Sequence, residues 1–121
     1  MLPRHLPRIE LFHDDRRLSG EIALAASFTS RLRGLALTGA LGEEMGLLIV
    51  PCSSIHMLGM RYGIEAVFIS SEGRVLKIIP YLLPWLGLGF CWGAKAVLEW
   101  RLGSAVVHGI KVGDTLTWRI A

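Results

Sequence analysis

Three side chains with soft donor atoms recur every four residues in this chain: Cys52, His56 and Met60. On a strand, even spacing sets all three on one face; on a helix, steps of four keep them roughly aligned. A thiolate, an imidazole and a thioether together suit copper, and the first two alone suit zinc. The Cys52–His56 pair, with Glu65 to orient the ring, also has the composition of a thiolate–imidazolium nucleophile. The surrounding sequence argues against both. Ser54-Ile55-His56-Met57-Leu58-Gly59-Met60 is apolar, and methionine ordinarily fills gaps in a core. Catalytic Cys and His usually come from distant segments, and no oxyanion-hole loop is legible here. The expectation is a chain with no catalytic residues, no resident metal and no cofactor.

Glu65 and Glu99 interrupt otherwise apolar runs. A carboxylate inside a strand needs a cation or donors, and Arg33, Arg61 and Arg74 are available. The same residues allow a second arrangement, a small polar pocket built from His56, Arg61, Glu65 and Glu99. Spacing alone does not choose between an ion pair and a pocket.

The most unusual stretch is Tyr81-Leu82-Leu83-Pro84-Trp85-Leu86-Gly87-Leu88-Gly89-Phe90-Cys91-Trp92. Proline and glycine break it too often for one regular core element. Loops run over surfaces, so Leu83, Trp85, Leu86, Leu88, Phe90 and Trp92 are candidates for an exposed contact surface. Such patches mark partner or membrane contacts, and tryptophan favours the membrane interface. The alternative is a lid folded back over one open end of the core.

The elements that must position these groups are mostly strands. The 121 residues are 52% hydrophobic and only 19% charged, with a mean hydropathy of +0.49. That excludes an intrinsically disordered chain. A net charge of +3 is spread without a run of like charges, so no nucleic-acid partner is expected. Cys52 and Cys91 are too few for a disulfide framework and read as reduced thiols. The start lacks an apolar signal-peptide core. The uncharged run from Ile78 to Ala94 falls short of a spanning helix and is broken by Pro80 and Pro84. The expected location is cytoplasmic, with peripheral membrane contact left open.

Residues 1–8 read as a loose arm and 9–121 as one domain. Asp14 and Asp15 mark a turn within a short hairpin over 9–20, and Ile22, Leu24 and Ala26 alternate like a strand. Phe28, Leu32 and Leu35 have helical spacing, with Gly39 as a stop. Gly46 to Val50 reads as a strand buried on both faces. Ile64–Ile69 and Arg74–Ile79, joined by Ser70-Ser71-Glu72-Gly73, read as a hairpin. Lys95–Leu102 and Thr115–Ile120 alternate as strands with one wet face, and one helical turn fits at Ser104–Gly109. The expected architecture is mainly β: a compact, mostly antiparallel, partly closed barrel-like sheet with one or two short helices.

The order of motifs resembles the DUF192 family, small bacterial and archaeal proteins of unknown function. Arg31-Leu32-Arg33-Gly34-Leu35 is similar to its R-x-R-G-L helix motif, and Gly46-Leu47-Leu48-Ile49 to its G-M-L-F strand. Ser54-Ile55-His56-Met57-Leu58-Gly59-Met60-Arg61 resembles S-I-H-T-F-G-M-R, and Ile64-Glu65-Ala66-Val67-Phe68-Ile69 resembles I-D-V-V-F-L. Glu72-Gly73-Arg74-Val75, Ala96-Val97-Leu98-Glu99 and Gly109-Ile110-Lys111-Val112-Gly113-Asp114 resemble D-G-R-V, A-V-L-E and G-I-K-x-G-D. Two departures are visible: the family's P-x-D is Gly63-Ile64-Glu65 here, and Pro80–Trp92 is more apolar than usual. The resemblance implies a compact β fold with short helices and no particular activity. The functional expectation is a non-catalytic binding or accessory module. It would contact a protein partner or a membrane surface through 81–92. The alternative is a small-pocket enzyme or copper/zinc protein using Cys52, His56 and Met60 or Glu65.

Overall fold

A computed structural model describes residues 6–18, 20–25, 45–58 and 60–121. The helix expected over 28–39 lies outside the described residues. Ten strands and one short helix are described: β1 Arg8–His13, β2 Arg16–Arg17, β3 Glu21–Ala25, β4 Met45–Ile49, β5 Ser54–His56, β6 Ile64–Ile69, β7 Val75–Leu82, β8 Leu88–Phe90, β9 Ala96–Trp100, α1 Ser104–His108 and β10 Leu116–Ile120. The protein is mainly β, as the alternation of apolar and polar residues predicts.

The main sheet runs β10-β1-β3-β4-β9-β6-β7, with β2 hairpinned onto β1. Its pairs are antiparallel except for β3 with β4, which are parallel. The sheet curls until its two edges meet at one end. Arg74, just before β7, bridges Thr115, just before β10. There the Val75 N–H donates to the Asp114 carbonyl, and the Leu116 N–H donates to the Gly73 carbonyl, both at 2.8 Å. Gly73 has φ +89°, and a Cβ there would run into the Leu116 carbonyl oxygen, so closure at this corner needs glycine.

Two apolar clusters fill the two sides of the sheet. One draws Leu11, Leu48, Val67, Leu98 and Leu116 inside the curl. The other gathers Leu47, Phe68 and Val97 on the opposite face and is covered by Ile55, Met57 and Met60. The central strands β4, β9 and β6 are therefore packed on both sides, and every residue of β6 and β9 is buried. For β9 this corrects the expectation of a wet face: the strand lies between β4 and β6 with a cluster on either side. Leu6 is buried in the core and β1 starts at Arg8.

The hairpin over 64–79 forms with β6 and β7, but β7 continues through Pro80 to Leu82. Proline lacks an N–H for the ladder, yet β7 is an edge strand, where its free side tolerates the loss. The pairing shifts register between Ile64/Leu82 and Ala66/Ile79, so the bulge absorbs the proline. The remaining strands, β5 and β8, form a separate antiparallel ribbon.

Candidate functional site

The β5–β8 ribbon and the turn before it hold the apolar segment singled out above. In β8, Gly89 points inward. A Cβ there would stand 3.1 Å from Phe68 Cζ and from Ile79 Cδ1, so only a residue without a side chain lets the ribbon lie this close to the core. Alternation then turns Leu88 and Phe90 outward. Ile55 of β5 is buried opposite Gly89, while Ser54 and His56 pair with Phe90 and Leu88 on the outward face. Together these residues line an open groove of about 310 Å³.

The turn 83–87 is tied down at its base. The Met57 N–H donates to the Gly87 carbonyl at 2.9 Å, and the Met57 carbonyl accepts from the Trp85 N–H at 3.0 Å. The Gly87 N–H closes the turn onto the Leu83 carbonyl at 2.9 Å. A Cβ on Gly87 would come within 2.8 Å of that same carbonyl oxygen. At the tip, Trp85 sits at φ +66°, a left-handed conformation that costs a non-glycine residue roughly 1–2 kcal/mol.

Leu83, Trp85, Leu86, Leu88, Phe90 and Trp92 are all exposed, from about half for Leu83 to 88% for Trp92. Only Leu82 of the stretch is buried among its large apolar side chains. The Phe90 and Trp92 rings lie 6.3 Å apart in a tilted arrangement. Tyr81, at the start of the stretch, is exposed too, and Leu58, two residues beyond His56, is an exposed apolar residue that the sequence does not single out. The same holds for two cations. Lys77 Nζ donates to the Phe90 carbonyl at 3.1 Å. Lys95 lines a second hollow with Phe90, Cys91 and Trp92. Lys77 was findable in principle, being the outward residue of an alternating edge strand.

The other candidate residues are dispersed. Glu65 directly faces Trp100 across the β6–β9 ladder, whereas Glu99 faces Ala66, so the two carboxylates lie on opposite faces of the sheet. Glu65 Oε1 accepts from Trp100 Nε1 at 2.6 Å and from the Ala105 N–H at 2.8 Å. This is a buried bracket that holds α1 against the sheet. Glu99 is wholly buried. Arg61 is exposed and His56 lies on the ribbon, so His56, Arg61, Glu65 and Glu99 are not gathered around one cavity. Met60 is fully buried in the core beneath the ribbon. Cys52 Sγ donates to the Ser54 carbonyl at 3.1 Å, and His56 Nδ1 accepts from the Leu58 N–H at 3.3 Å. Among the described residues, no three His, Cys, Asp or Glu side chains converge in a metal-binding group. Cys52 and Cys91 are free thiols.

The perturbed carboxyls lie away from the ribbon. Hydrogen bonds from Arg119 and Arg17 hold Glu10 below its ordinary value. The Lys111 N–H, with a contribution from His13, does the same for Asp114. The Ser71 hydroxyl lowers Glu72, at the far end of β7.

The sequence of residues 10–118 matches the family model DUF192, described as "Uncharacterized ACR". The chain belongs to the DUF192 family. Solved structures share this DUF192 fold. A protein of unknown function from Novosphingobium aromaticivorans DSM 12444 is 23% identical with a TM-score of 0.78, over 98% of this chain and 91% of that one. A protein from Sinorhizobium meliloti 1021, provisionally called a transcription regulator, is 21% identical with a TM-score of 0.77, over 93% and 92% of the two chains. At these identities the likeness is one of fold. No curated protein matches the chain. Among the described residues, no helix is long and apolar enough to cross a membrane.

Proposed function

We propose that this DUF192 chain is a non-catalytic binding or accessory module whose contact surface is the 81–92 segment together with the outward face of the β5–β8 ribbon. The observation that carries the reading is Trp85. A large ring stands half-exposed at a left-handed backbone position, where glycine would be easier, on a turn fixed to Met57 from both sides. Strained residues persist where the surroundings over-determine them, and they cluster at functional sites.

The magnitudes agree. Fully burying a large apolar side chain is worth roughly 1.5–3 kcal/mol. Leaving six of them half or more exposed therefore forgoes on the order of 8 kcal/mol. Scattered exposed leucines need no explanation, but a contiguous set on one turn and one strand face does. Burial against a partner recovers part of this, offset by the cost of association.

The test is a photo-cross-linking amino acid placed at Leu86 and, as a control, at the exposed Thr117 of β10, followed in living cells. Adducts concentrated at position 86 support the reading. Equal yields at the two positions, or none at 86, sink it.

A further inference from the structure

We propose that the partner of this surface is an anionic lipid bilayer, into whose interface the 83–87 turn and the outer face of β8 insert while Lys77 and Lys95 meet the headgroup phosphates. The inference rests on the contact-surface reading above and gives it a chemical partner.

Charge distribution is the first argument. Between Met45 and Leu98 the chain carries only two carboxylates, Glu65 and Glu72. Glu65 is buried and already accepts two hydrogen bonds. Glu72 lies in the turn before β7, while the apolar turn follows the other end of that eight-residue strand, about 26 Å away at ~3.3 Å per residue. Among the described residues of this span, the patch is therefore bordered by cations and by no exposed carboxylate. Lys77 is held at its margin by the Phe90 carbonyl, and Lys95 shares a hollow with Phe90 and Trp92. Basic groups beside an apolar surface are the pattern that anionic leaflets attract.

Composition is the second. The protruding residues include Trp85 and Trp92 as well as Leu86, Leu88 and Phe90. Tryptophan combines an apolar ring with an N–H that can stay hydrated, which suits the headgroup boundary. Among the described residues, the large exposed aromatic side chains, Tyr81, Trp85, Phe90 and Trp92, all lie in this segment, whereas Leu102, Val106, Val107, Val112 and Ile120 are exposed elsewhere and are aliphatic.

Symmetry is the third. A two-fold dimer through this face would set the same patch against itself, bringing Lys77 and Lys95 towards their own copies without a carboxylate between them. A lipid surface supplies the missing anions. The backbone ties to Met57 present the turn already formed, so little ordering is needed on contact.

The experiment is flotation of the full chain with vesicles of pure phosphatidylcholine and of equimolar phosphatidylglycerol and phosphatidylcholine, at low and high salt. The wild type should float with the anionic vesicles and partition about 30-fold less onto the zwitterionic ones, as expected for two lysines near a charged surface. The L86S/L88S variant should lose anionic partition by about 10-fold or more. The K77Q/K95Q variant keeps a donor for the Phe90 carbonyl and should lose about 30-fold on anionic vesicles alone. Circular dichroism melts matching the wild type confirm that these surface changes leave the fold intact. Equal wild-type binding to both vesicle types, or none to either, overturns the lipid assignment. If vesicle binding is absent while cross-links at Leu86 persist and go to protein, the lipid inference falls and the contact-surface reading stands. If both are absent, both fall.

Discussion

Glu65 illustrates how a residue that looks chemical from its type can be structural by position. Its Oε1 satisfies two buried donors, Trp100 Nε1 and the Ala105 N–H. An unsatisfied buried donor costs about 1–3 kcal/mol, so Glu65→Ala should destabilise the protein by about 3 kcal/mol in urea denaturation. Glu65→Gln, which keeps an acceptor oxygen, should cost about 1 kcal/mol. Equal and negligible losses for both would mean that the bracket does not hold α1. Trp85 presents the opposite case, a residue whose position is costly and whose ring faces water. Trp85→Gly should raise stability by about 0.5–1 kcal/mol by relieving the left-handed strain, while weakening contact. A stability loss on this substitution would contradict the strained assignment.

The elements were legible in the sequence to the extent that their environments were simple. The β6–β7 hairpin follows from two apolar runs around Ser70–Gly73, and β4 from a continuous apolar run, because neither pattern has competing explanations. β9 was misread. Its alternation of Lys95, Glu99 and Arg101 with apolar residues suggests a wet face, but a central strand accepts a charged residue when tertiary partners receive it. The 81–92 stretch was legible as irregular and apolar, and its inner order was not. Gly89 packing on Phe68 and Met57 anchoring the turn are contacts across sequence separations that no local pattern encodes. The gathering of His56 with Leu88 and Phe90 likewise follows from the β5–β8 register, and the separation of Glu65 from Glu99 follows from the β6–β9 register. Gly87 tests the turn as a unit. A Cβ there would collide with the Leu83 backbone, and relieving the clash should cost about 1–3 kcal/mol. Gly87→Ala should therefore speed hydrogen exchange at the Trp85 and Gly87 amides relative to β6. Unchanged exchange would mean that the turn is not held by Met57.

Across the whole molecule, the curl closes where the segments before β7 and β10 meet, and Asp114 sits at that corner. Its carbonyl accepts from Val75, and its carboxylate takes the Lys111 N–H at 2.9 Å and contacts His13 Nε2 at 3.0 Å. These contacts hold Asp114 below its ordinary 3.8. A carboxyl depressed in the folded state adds stability that is present above the unfolded pKa and is lost as pH falls through the folded one. Asp114→Asn should flatten the acid limb of the stability profile below pH 3.8, and an unchanged limb would place that acid sensitivity elsewhere. The closed end of the sheet thus depends on ordinary polar contacts, while the exposed Trp85, Leu86, Leu88, Phe90 and Trp92 side chains gather on the turn and the end of the ribbon. The proposed contact with an anionic bilayer would be made through this one built surface. Hydroxyl-radical footprinting of the full chain on equimolar phosphatidylglycerol and phosphatidylcholine vesicles tests it most directly. Contact through this surface should protect Trp85, Leu86, Leu88, Phe90 and Trp92 and leave Val106 and Val107 as reactive as in free protein. Protection at Val106 and Val107 instead, or no protection at the ribbon and turn, would contradict it.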